Sequence, residues 1–104
     1  MKTAWSELVD VIAGLRSTDE MDAFLTEILT PKEISDLTLR WQLLKELHAG
    51  ETQRKIAGRH RISLCKITRG SKILKTDGSI TKRILDADTM DVNDKELKRS
   101  LGDG

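Results

Sequence analysis

Apolar residues recur at intervals of three and four along most of the chain, the period of helices with one buried face. Trp5, Leu8, Val9, Ile12 and Leu15 share one face of a first predicted helix, with Thr3 placed to cap it. Ser17 to Glu20 has the spacing of a capping box for a second helix, whose stripe is Met21, Phe24, Leu25 and Ile28. A third helix opens at Thr30-Pro31-Lys32-Glu33. There a capping hydroxyl precedes a proline at the first helical position, and a carboxylate follows three residues after the cap. Ile34, Leu37, Trp41, Leu44 and Leu47 line this helix, and Gly50 is suited to end it in a left-handed conformation. Its stripe is wide enough to face both its own chain and a partner.

From Gly50 to Lys75 the pattern changes to two short helices joined by a tight turn, expected over about Thr52–His60 and Leu64–Lys75 with Ser63 capping the second. Ile56, Ala57, Ile62 and Ile67 sit where two such helices pack on each other. This is the spacing of a helix-turn-helix. Most remaining positions are basic or hydroxylic, so the element pairs an apolar inner face with a cationic outer one, as a DNA reader requires. Asp77-Gly78 then marks a turn, and Ser79 to Leu85 forms one more short helix through Ile80, Ile84 and Leu85. Beyond Asp86 the chain is polar, and Asp94 to Leu101 is at best a weak helix. Roughly the last 15 residues are expected to be poorly ordered. The pattern predicts an all-α fold in a single structural domain: a helical dimerisation core over 1–50, a helix-turn-helix over 51–76, and a short helix and tail over 77–104.

Charge sharpens this picture. The net charge of +1 carries little meaning by itself. Residues 1–50 hold 5 basic and 9 acidic side chains, residues 51–75 hold 8 and 1, and residues 76–104 hold 5 and 7. Positive charge is therefore concentrated where it can displace counterions from a phosphate backbone. A solvated basic face on an ordinary helix is the alternative reading.

The remaining composition mainly excludes. A chain of 104 residues with 38% hydrophobic content buries modest apolar surface alone, and an obligate dimer would supply the missing core. Neither a membrane-spanning run nor a signal-peptide pattern is present, and the single cysteine, Cys65, cannot form an internal disulfide; the expectation is a cytoplasmic protein. Cys65 lacks a base spaced to activate it, and His48 and His60 are too far apart for one helical metal site. Acidic residues are expected on solvent faces. The chain is expected to have no catalytic residue, metal or prosthetic group.

Several segments resemble the tryptophan repressor family. They are Leu29-Thr30-Pro31 with Glu33, Arg40, Gly50-Glu51 followed by Gln53-Arg54, and Ile67-Thr68-Arg69-Gly70-Ser71 leading into Lys72-Ile73-Leu74-Lys75. Order and spacing agree over about Phe24 to Lys75, apart from a one-residue deletion between Glu51 and Gln53. The resemblance implies an intertwined all-helical homodimer that binds operator DNA when L-tryptophan, its corepressor, occupies a pocket between the core helix and the recognition helix. It implies ligand contacts at Leu29, Thr30, Arg40, Arg69, Gly70 and Ile73. An indole between two guanidinium planes gains stacking and cation–π attraction. Arg69 or Thr30 would meet the carboxylate, and carbonyls near Glu27 and Leu29 the ammonium. Gly70 would let a ligand or neighbouring backbone approach closely.

For DNA the resemblance points to Gln53 and Arg54 opening the first reading helix, to Leu64, Cys65, Lys66 and Thr68 facing the groove, and to Ser63 as a further DNA-binding residue. Ser71, Lys72 and Lys75 are candidate phosphate contacts. Three positions depart from the family pattern. Ile73 stands where a serine helps bind the ammonium. Lys66 replaces a smaller polar residue, adding a DNA contact or crowding the pocket. Arg61 occupies a turn position that favours glycine. Two rival readings stay open: a DNA-binding regulator with no tryptophan or another effector, and a helical protein-interaction module.

Overall fold

A computed structural model describes residues 2–87 of the chain, and every regular element among them is an α-helix. The expectations for Asp94–Leu101 and for the tail fall outside these residues. The elements are α1 (Ala4–Gly14), α2 (Thr18–Ile28), α3 (Pro31–His48), α4 (Gln53–His60), α5 (Leu64–Lys75) and a sixth helix, α6, described over 80–87. Two compact units divide the chain, Met1–Thr38 and Leu39–Gly104, with the boundary inside α3.

In the first unit, local chemistry sets the helix starts. The Thr3 hydroxyl accepts from the Ser6 amide at 3.1 Å and the Ser6 hydroxyl accepts from the Thr3 amide at 3.0 Å, closing a capping box. The Ser17 hydroxyl accepts from the Glu20 amide at 3.1 Å. Thr30 and Glu33 cap each other reciprocally at 2.9 and 3.1 Å, as the sequence predicted. Burial does not accompany this order. Among residues 2–38 none is buried, and Trp5 is 72% exposed.

The second unit has a core. Leu43, Ile56 and Ile67 form its centre, and Leu39, Leu47, Ala57 and Ile62 pack against it. The inner positions expected for the α4–α5 pair all meet here. The stripe predicted for α3 shifts. Leu44 is buried and Leu47 half-buried as expected, but Leu43 joins them inside while Trp41 stays exposed. Apolar residues ring this part of α3, and α4 and α5 select the edge that Leu39, Leu43 and Leu47 form at four-residue spacing. Gly70 explains the fit of α5. A Cβ there would lie 3.1 Å from Leu47 Cδ1 and 3.4 Å from Leu44 Cδ2. The side chains that approach Gly70 most closely are thus those of two leucines, and no neighbouring backbone lies as near. This close packing accounts for a glycine that otherwise costs about 1 kcal/mol within a helix.

The turns follow from two left-handed residues. At Gly50, φ is 94°, and the Gly50 and Glu51 amides donate to the Leu47 and Glu46 carbonyls at 3.0 and 3.1 Å, a Schellman ending for α3. Arg61, with φ 54° and ψ 48°, ends α4, and the Ala57 carbonyl accepts from the amides of both Arg61 and Ile62. The left-handed position inferred for Arg61 is therefore real. Ser63 occupies the N-cap position of α5, but its side chain makes no capping hydrogen bond, contrary to its expected role.

A polar network ties α4 to the end of α3. Glu46 is only 7% exposed, which corrects the expectation that carboxylates lie on solvent faces. It takes hydrogen bonds from Arg59, from Gln42 at 2.9 Å and at His60 Nε2 at 2.8 Å. Arg59 also grips Glu51 with two bonds, of 2.8 and 2.5 Å. Burial alone would raise the Glu46 carboxyl; the bonds from His60, Gln42 and Arg59 outweigh it and hold the pKa below the ordinary glutamate value. The Arg59 bonds lower Glu51 likewise. Asp86, on α6, is lowered by His48 at 2.6 Å and Lys82 at 3.0 Å.

Depressed carboxylates contribute stability that is present above their ordinary pKa and lost as pH falls through their folded values. Urea midpoints should therefore decline below about pH 4.5, the unperturbed glutamate value. Glu46→Gln should lower the midpoint at pH 7 by the equivalent of ~1–3 kcal/mol and flatten the acid limb. An acid limb unchanged in Glu46→Gln would contradict this assignment. Separately, Arg61→Gly should raise the urea midpoint by up to about 1 kcal/mol, because glycine adopts the left-handed conformation without a Cβ clash.

Candidate functional site

Helix α5 presents two working edges on either side of its buried positions, Ile67 and Gly70. Along one edge Lys66, Arg69, Gly70 and Ile73 face Arg40, Leu43 and Leu44 of α3 across a narrow crevice. Along the other, Leu64, Cys65, Thr68, Arg69 and Lys72 line a shallow depression of about 400 Å³. The spacing explains this split. Positions 64, 68 and 72 form one four-residue ridge, and positions 66, 70 and 73 form another. Arg69 belongs to both edges.

The crevice is small, about 20 Å³. That is room for one water molecule and far less than an indole ring occupies. Its floor is the buried pair Leu43 and Leu44, and its rim is the exposed Arg40, Lys66 and Arg69. An indole ring therefore does not fit between these rim side chains as they stand. Among the described residues, none of those three cations is paired with a carboxylate.

Most of the predicted ligand set meets here: Arg40, Arg69, Gly70 and Ile73. Leu29 and Thr30 belong to the first unit, where Leu29 ends α2 and Thr30 caps α3. Sequence reasoning missed Leu43 and Leu44 as lining residues. They follow Arg40 by three and four residues, so a helical projection from Arg40 would have found them. Lys66, proposed from sequence mainly for DNA, lines the crevice instead of the outer depression.

The predicted DNA contacts separate similarly. Leu64, Cys65, Thr68 and Lys72 share the outer edge, and the Cys65 thiol is free and exposed. The Thr68 hydroxyl lies 3.0 Å from the Leu64 carbonyl and 3.2 Å from Gln53 Oε1, linking the start of α4 to this face. Its single proton serves one acceptor at a time, so the other contact stays available for exchange. Arg54 and Ser63 are exposed, and Ser71 is half-buried. Lys75 lies away from this face, lining a separate depression with Thr76, Gly78, Lys82 and Arg83.

Comparison with known proteins gives this geometry a family. Residues 3–89 match the family model described as Trp repressor protein. The chain belongs to the Trp repressor family. A Trp operon repressor homolog of Photobacterium profundum is 36% identical over 84 residues, covering 80% of this chain and 82% of that one. A Trp operon repressor homolog of Vibrio parahaemolyticus is 34% identical over 79 residues, 75% and 77% of the two chains. One from Xylella fastidiosa is 36% identical over 73 residues, 69% and 79%. No solved structure matches at comparable stringency. Membership in the Trp repressor family makes the chain a Trp-repressor-like regulator. No cluster of three metal-ligating side chains occurs among the described residues, and none of their helices is long and apolar enough to cross a membrane.

Proposed function

We propose that this chain is a DNA-binding transcriptional repressor that acts in the cytoplasm as a homodimer, with L-tryptophan as corepressor. One observation carries the reading: an apolar-floored crevice and a cationic outer edge occupy the two sides of α5 and share Arg69. In this reading α4, the turn at Arg61–Ser63 and α5 act as a helix-turn-helix. Gln53 and Arg54 open it, and Leu64, Cys65 and Thr68 meet base edges in the major groove. Ser63, Ser71, Lys72 and Lys75 supply phosphate contacts, and Lys66 reaches DNA only from the crevice rim. Residues 51–76 are the reading head, 1–50 the dimerisation core and 77–104 an appended helix and tail.

Dimerisation follows from what the single chain leaves uncovered. Trp5, Val9, Ile28 and Leu37 of the first unit are exposed, and so is Trp41 of the second. Burying such side chains gains about 1.5–3 kcal/mol each, enough to make the dimer obligatory. For the effector, Arg40 and Arg69 are suited to hold an indole between their planes once the crevice widens, with Leu43 and Leu44 beneath it. Tryptophan then shifts the population of reading-head positions toward the one that spans two successive major grooves. Leu29 and Thr30 enter the proposal on family resemblance alone. The narrow crevice favours a second reading, in which the protein binds DNA without tryptophan.

Binding to the DNA upstream of its own coding sequence, measured with and without millimolar L-tryptophan, separates these readings. The expected result is a sequence-selective, salt-sensitive complex that tryptophan tightens. A complex indifferent to tryptophan supports the effector-independent reading. Equal binding to all DNA opposes both and favours the protein-interaction module. Thr68→Ala or Arg54→Ala should relax sequence preference by about 1–3 kcal/mol at the contacted position, whereas Lys72→Ala should weaken all DNA alike. Sedimentation at low micromolar concentration should give a dimer, and a compact folded monomer would contradict it.

A further inference from the structure

The depression between the end of α5 and α6, about 670 Å³ in volume, lies apart from both working edges of α5. Lys75 stands on its α5 side and Asp77 on the turn. Lys82, Arg83 and Asp86 follow Ser79 by three, four and seven residues, so they share the face of α6 that lines it. Two contacts off this face hold α6 in place. Leu85 is only 3% exposed, and His48 of α3 lies 2.6 Å from Asp86 Oδ1.

Charge in the depression is only partly balanced. Lys82 pairs with Asp86 at 3.0 Å, and Asp86 also meets His48, so this carboxylate is fully engaged. Lys75 and Arg83 are exposed, and among the described residues no carboxylate engages either. Asp77 is exposed too and has no cationic partner among the described residues. Two cations from different helices therefore share the depression with a single unpaired carboxylate. A phosphate suits them, since a guanidinium meets its oxygens in pairs and an ammonium adds a point charge.

Continuity with the outer edge of α5 indicates whose phosphate. Lys72 lies on that edge, and Lys75 follows one helical turn later beside the depression. The cationic stripe thus runs off the end of α5 and onto α6. A single small anion would use one end of such a stripe, whereas a nucleic-acid strand carries phosphates in a row along it.

We propose that α6 belongs to the DNA interface: Arg83 and Lys75 together hold a backbone phosphate beyond the one that Lys72 meets, and Asp77 weakens that hold. This rests on the reading of α4 and α5 as a DNA-reading head. The contact lengthens the footprint and adds affinity for any DNA without adding sequence preference.

Equilibrium binding of the full chain to its specific DNA and to random DNA, measured from 50 to 200 mM salt, tests the proposal. Arg83→Gln should lower the slope of log affinity against log salt by about one, so that the variant loses about threefold less affinity than the parent over that range. The drop should be the same on both DNAs, and the thermal midpoint should not move. Asp77→Asn should tighten both DNAs by about twofold at 50 mM salt, the effect of one exposed charge. Ethylation of a phosphate outside the base-contacted half-site should weaken the parent and leave Arg83→Gln indifferent. An unchanged salt slope in Arg83→Gln would overturn the inference while leaving the reading head standing. Absence of DNA binding by the unmodified chain would overturn both.

Discussion

The packing of Ile67 against Ile56 and Leu43 is the constraint on which the second unit depends. Ile56 and Ile67 are fully buried, and truncating such a residue to alanine costs about 2–5 kcal/mol. That exceeds any single surface ion pair in the molecule. The contact fixes how α5 is rotated, and that rotation decides which side chains face α3 and which face outward. Gly70 then sets how closely α5 lies on Leu44 and Leu47. The Glu46 network adds direction to this packing. It joins α3, the Gly50 turn and α4 through charged hydrogen bonds, and it is weaker evidence for net stability than the apolar contacts are.

From that rotation follows the functional arrangement. A single helical turn brings Arg69 to the boundary between crevice and outer face, so in the proposed reading a ligand that repositioned its guanidinium would change the surface offered to DNA. If tryptophan does enter the narrow crevice, its widening would link occupancy to the position of the reading helix. In the proposed reading the coupling would require no long relay: one side chain and the separation of two helices would carry it.

Much of this was legible in the sequence because it is local. Thr3, Ser17 and Thr30 with Glu33 announce helix starts, Gly50 an ending, and Ile56, Ala57, Ile62 and Ile67 an inner face. Arg61 was readable as left-handed through the family resemblance, which places it at a turn position that favours glycine. The less legible features are those that depend on which neighbour wins. Apolar residues surround α3 between Leu39 and Leu47, so periodicity alone could not choose the edge that α4 and α5 cover, and Leu43 was missed. Glu46 looked like any helix-surface carboxylate until Arg59 and His60, thirteen and fourteen residues later, were seen to fold over it. Lys66 could be given to DNA or to the crevice from sequence, and only the rotation of α5 distinguishes them. Leu29 and Thr30 lie in the unit without a buried core, where sequence resemblance is the guide to their role.

The central claim is that effector and DNA are linked through α5. The most direct test is the dissociation constant of L-tryptophan measured by calorimetry on the free protein and on the protein saturated with its specific DNA. Linkage requires the two effects to be reciprocal. The account predicts that DNA tightens tryptophan binding by the same factor by which tryptophan tightens DNA binding, and that this factor collapses toward one in Arg69→Ala. A tryptophan affinity that is identical with and without bound DNA would contradict it.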